Sequence, residues 1–75
     1  MKTIDDVIGI VVVADPMAIG VPSFYADATK LTGTPPRGIG KTEVEAKFDL
    51  LAKLFARAWR AEYGRQVDEL LADAL

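Results

Sequence analysis

The chain has 75 residues, 51% hydrophobic and 27% charged, with a formal net charge of −2. It contains no cysteine and no histidine, which excludes disulfide staples, thiolate zinc sites and any Ser-His or Cys-His relay. The length allows one domain that buries only about 60% of its unfolded surface, and the charge balance gives no electrostatic reason to expect nucleic acid or an anionic membrane.

A domain this small without staples fits a reducing cytoplasm and raises the expectation that self-association supplies stability the core lacks. No run approaches the ~18 apolar residues of a spanning helix. The longest, Val7 to Ala14, is interrupted by Gly9 and follows Asp5-Asp6, unlike a basic-headed leader.

Ile4 to Ala14 carries Val7, Ile8, Ile10, Val11, Val12 and Val13. A helix from Thr3 is conceivable, but the β-branched content with Gly9 among it favours a strand over 4–14. Odd and even positions are both apolar, which predicts a strand covered on each side. Asp15-Pro16 and Gly20-Val21-Pro22 punctuate a connection. A second strand is expected over 23–31, with Phe24, Ala26 and Ala28 toward the core and Asp27 and Thr29 opposite. The turn-rich stretch Gly33 to Gly40 has room for a short third strand but no pattern that announces one.

Thr42 followed by Glu45 is a capping box, so a helix is expected over 43–63. Val44, Phe48, Leu51, Phe55 and Trp59 recur at the spacing of one helix face and are read as its core stripe. Glu43–Lys47 and Asp49–Lys53 are favourable i,i+4 pairs. Val67, Leu70, Leu71 and Ala74 lie about a quarter turn from that stripe, so a bend or break is expected near Gly64, with a helical extension over 65–75. An unbroken helix would overhang the sheet and leave that tail bare.

Gly38-Ile39-Gly40-Lys41-Thr42 resembles the end of a phosphate-binding loop, but the glycine required five residues before Gly40-Lys41-Thr42 is Pro35 here, followed by Pro36, and proline offers no amide donor. The simpler reading is a helix start. The acid pairs Asp5-Asp6, Glu43/Glu45 and Asp68-Glu69 read as strand lead-in, helix-dipole complement and solvated face, and Ser23, the only serine, has no histidine base. No catalytic, cofactor or metal site is expected. Lys53, Arg57 and Arg60 form a charged face that is read as solvated, with nucleic-acid binding as the alternative.

Strand, turn, strand, Gly-rich loop, then Gly38-Ile39-Gly40-Lys41-Thr42-Glu43-Val44-Glu45-Ala46 opening a helix that continues through Leu50, Leu51 and Leu54, resembles the HicB-type antitoxin lobe over about residues 7–54. The resemblance implies a lobe that neutralises a small ribonuclease toxin by covering its active surface. The layout is also similar, in size and organisation, to small phage-encoded anti-CRISPR inhibitors.

Together these readings predict an α+β domain: a two- or three-stranded antiparallel sheet packed by one long C-terminal helix, expected as a homodimer. Its expected task is to bind and occlude another protein, either a toxin nuclease or a host defence complex. The expected contact residues are Tyr63, Val67, Leu70 and Leu71, with Arg57 and Arg60 on the rim. A self-assembling structural phage protein is a further alternative.

Overall fold

The computed structural model describes residues 3–74. Its elements in chain order are a helical turn α1 (Ile4–Ile8), strands β1 (Ile10–Ala14), β2 (Phe24–Ala28) and β3 (Gly38–Gly40), and helix α2 (Glu43–Leu54). Then follow a single turn α3 (Arg57–Trp59), a π-helical turn (Arg60–Gly64) and helix α4 (Arg65–Ala74). The strands form an antiparallel meander in the order β1-β2-β3. The α+β class holds, and the third strand for which the loop had room is present.

The expected strand over 4–14 is corrected at its start. Thr3 and Asp6 form a capping box, and Gly9 ends the turn in the left-handed region at φ 66°. Only glycine takes that conformation without strain. Five residues would not hold a helix alone, but Val7 and Ile8 are buried, and α1 packs on α4. Tertiary burial outweighs strand propensity here. β1 is also not covered on both sides, since Val11 and Val13 are exposed. β2 is shorter than the expected 23–31, although Ala26 and Ala28 do enter the core and Phe24 packs against it.

The largest correction concerns α2. Its N-cap is as expected, with the Glu45 amide donating to Thr42 Oγ1 at 3.1 Å. The Glu45 carboxylate reaches back one residue further than a standard box, accepting from the Lys41 amide at 3.0 Å. The buried face, however, is Ala46, Leu50 and Leu54. The expected core stripe lies outside: Val44 is 56% exposed, Phe48 63%, and Phe55 and Trp59 also face solvent. Only Leu51 of that set packs partly against the core.

β3 supplies the reason. Gly38 and Gly40 lie directly under α2, where a Cβ on Gly38 would run into the Ala46 carbonyl and stand 2.6 Å from the Leu50 amide nitrogen. A Cβ on Gly40 would likewise meet the Ala46 amide. Backbone-to-backbone approach this close needs small or slender residues on the helix side, so the Ala46–Leu50 face goes in and the aromatic face goes out.

The expected 43–63 helix ends at Leu54, because Ala56 is extended at ψ 151°. From Arg57 onward α3, the π turn and α4 continue without a gap for 18 residues. The irregularity expected near Gly64 is the π turn. The break at Ala56 and the wider turn change the phase of the chain after Leu54. As a result Tyr63 and Val67 enter the same core as Leu50 and Leu54. Glu62, which the continuous phase would place mid-stripe, stays exposed and pairs with Arg65 and Gln66.

Candidate protein-binding surface

Among the described residues, the loop between β1 and β2 exposes Met17, Ile19 and Val21, and two apolar surfaces on the regular elements are uncovered as well. One is the outer side of α2 with the turn after it: Val44, Phe48, Phe55 and Trp59. Val44 and Phe48 lie one turn apart on α2, Phe55 caps it, and Trp59 follows the extended Ala56 in α3. Trp59 is steadied by Tyr63, their ring centroids 5.7 Å apart at 43°. Arg57 and Arg60 flank Trp59 and are exposed.

The other surface is the open face of the sheet. Val13, Tyr25 and Ile39 stand directly across from one another on the three strands, with Val11 opposite Asp27 in the next row. The polar members of this face are already engaged. Arg37 grips Asp27 with two nitrogens, at 2.9 and 3.3 Å, and lies over the Tyr25 ring at 4.9 Å. The Tyr25 hydroxyl donates to Asp15 at 2.9 Å, which raises its pKa above the ordinary tyrosine value. The Asp27 hydrogen bond likewise raises that of Arg37.

Of the expected contact residues, Arg57 and Arg60 are accessible. Tyr63 and Val67 are not, at 5% and 0% exposure. Leu70 and Leu71 are half-buried against the core. The C-terminal tail is therefore not spare apolar surface, because α4 folds back on α1 and uses it. Sequence reasoning missed Val44, Phe48 and Phe55 as surface residues. The available signal was Gly38-Ile39-Gly40 immediately before the helix, combined with the small-to-slender set Ala46, Leu50 and Leu54 on the opposite side.

The Lys53–Arg57–Arg60 row is not a continuous cationic face. Lys53 is held by Asp49 at 2.9 Å and donates to the Arg37 carbonyl at 2.9 Å, and the break at Ala56 separates it from the arginines. A shallow groove of ≈ 570 Å³ bordered by Phe55, Arg60, Gly64, Arg65, Asp68 and Glu69 carries both signs of charge. In it Arg65 is already tied to Glu69 at 2.8 Å.

The loop resembling a phosphate cradle serves as a helix start. Its amides are taken by carboxylates: Ile39 N–H donates to Asp49 at 2.8 Å and Lys41 N–H to Glu45. Lys53, and next the Ile39 amide, hold the Asp49 carboxyl below the usual carboxylate range. Of the expected i,i+4 pairs, Asp49–Lys53 forms, whereas Lys47 turns to Asp5 at 2.7 Å. Among the described residues no three acidic side chains are grouped so as to hold a metal ion. No helix among them is long and apolar enough to cross a membrane.

The molecule is a small α+β domain with an aromatic helix face turned outward. Compared with protein-family models, curated proteins and solved structures, the chain finds no match in any of the three.

Proposed function

We propose that this chain is a non-catalytic inhibitor that binds and occludes another protein through the outer face of α2, acting in a reducing cytoplasm. The observation that carries the reading is the exposure of Val44, Phe48, Phe55 and Trp59 along one side of the helix and the turn after it. Contiguous apolar surface of this kind marks association. Aromatic anchors with arginine at the edge are the composition of binding hot spots, and Arg57 and Arg60 supply that edge. The contact set expected from the sequence thus shifts from the tail, whose apolar side packs on the core, to the helix face, keeping only its two arginines.

The target class follows the likeness of residues 7–54 to the HicB-type lobe: a small toxin ribonuclease whose active surface the helix covers. A defence complex of the CRISPR–Cas kind is the second target. The test is an RNA-cleavage assay with such a toxin, and a CRISPR interference assay beside it, each titrated with wild-type protein and with the Phe48→Asp/Phe55→Asp variant. Wild-type protein is expected to block one of the two activities, and the variant to need on the order of 100-fold more, matching loss of two anchors at about 1.4 kcal/mol each. Equal inhibition by both proteins, or none in either assay, overturns the proposal.

A further inference from the structure

β1 is an edge strand, with β2 as its one strand neighbour among the described residues. β2 lies on one side of it, and α2 packs beneath the sheet. In an antiparallel ladder the backbone groups of alternate residues point to the neighbour and away from it. The Asp15 amide donates to Ser23 O at 2.8 Å and the Thr29 amide to Gly9 O at 3.0 Å, so the odd-numbered residues face β2. The N–H and C=O groups of Ile10, Val12 and Ala14 therefore point outward. The strand reads Ile-Val-Val-Val-Ala, with no charge, proline or bulge. Those are the devices by which edge strands are ordinarily protected from pairing.

We infer that β1 pairs with β1 of a second copy of this chain, antiparallel about a two-fold axis at Val12, to make one six-stranded sheet. Two observations select a second copy as occupant. The outward groups are self-complementary in this register, Ile10 opposite Ala14 and Val12 opposite Val12, giving about six new backbone bonds. On the open face, exposed Val11 stands against exposed Val13 of the second copy, twice, so four valines close over one another in the closely spaced pairs.

The outer face of α2 is not used, so this dimer stands or falls independently of the occlusion reading.

The test exchanges charges at the two exposed valines, where each copy's own sheet tolerates them: position 11 faces Asp27 and position 13 faces Tyr25. Val11→Lys/Val13→Lys sets lysine against lysine across the axis, while Val11→Lys/Val13→Glu sets lysine against glutamate. In sedimentation equilibrium the wild type is expected at twice 8.1 kDa, the Lys/Lys variant at 8.1 kDa and the Lys/Glu variant again at twice that mass. Amide exchange at Ile10, Val12 and Ala14 is expected to slow as wild-type concentration rises, with Val11 and Val13 unchanged because they already donate to β2. A wild type that stays at 8.1 kDa overturns the inference. So does a Lys/Lys variant that still dimerises, or a Lys/Glu variant that does not.

Discussion

The two sides of α2 differ in the opposite sense to the usual one: the side with the larger apolar residues faces water. Ala46, Leu50 and Leu54 are fully buried, while Val44, Phe48 and Phe55 are exposed. Both sets recur at helical spacing, so hydrophobic periodicity alone ranks the aromatic side first. What decides between them is the sheet beneath. Two glycines in β3 bring the backbone of strand and helix into contact, and a Phe side chain at that seam would push them apart. The inward side is therefore selected by fit and the outward side is left to other uses.

Substitutions on the two sides should separate stability from binding. Leu50→Ala, at a site with no exposure, is expected to cost about 3 kcal/mol and lower Tm by roughly 15 °C in a thermal melt. Gly38→Ala forces a methyl into the Ala46–Leu50 backbone and is expected to cost about 2 kcal/mol. If Gly38→Ala leaves Tm unchanged, the close seam is not what orients the helix. Thr42→Ala removes the N-cap acceptor and should cost about 1 kcal/mol in urea unfolding.

Asp49 ties the seam to the helix surface and gives it a pH dependence. Its carboxyl is held below the ordinary range by Lys53 and then by the Ile39 amide. A lowered folded pKa contributes stability that is present above the unfolded value and lost as pH falls through the folded one. The unfolding free energies of wild type and Asp49→Ala from urea titration should therefore differ at neutral pH by no more than about 1 kcal/mol, because the Asp49 side chain is 36% exposed and partly screened by solvent. The gap should narrow below the ordinary Asp value of about 4. A gap that is constant down to strong acid would mean that ionisation at Asp49 does not matter. The smallest effect is on the outer side, where Phe48→Ala should change stability by less than about 0.5 kcal/mol while weakening target inhibition.

Much of the architecture is legible in single residues. Thr42 and Glu45 mark the start of α2, Phe24, Ala26 and Ala28 alternate into the core, and Pro35-Pro36 disposes of the phosphate-loop reading. Other features need the assembled molecule. The one-turn α1 has the Thr3–Asp6 signature, yet its β-branched residues speak for strand until α4 is present to bury Val7 and Ile8. Tyr63 and Val67 look like spare apolar surface on a straight helix, and only the break at Ala56 with the following π turn swings them inward. Arg57 and Arg60 keep their exposure in either arrangement.

The amino-acid order by itself determined the α+β class, the sites where α2 begins and the tail becomes irregular, and the exclusion of thiol and imidazole chemistry. These depend on local chemistry: caps, β-branching, prolines and the presence or absence of a residue type. Which side of α2 is hidden, whether the tail is spare or structural, and which strand edge stays open were decided by the tertiary structure. Each of those depends on what lies across a contact from a segment distant in the chain, and a helix apolar on two sides carries no information about which one will meet a pair of glycines.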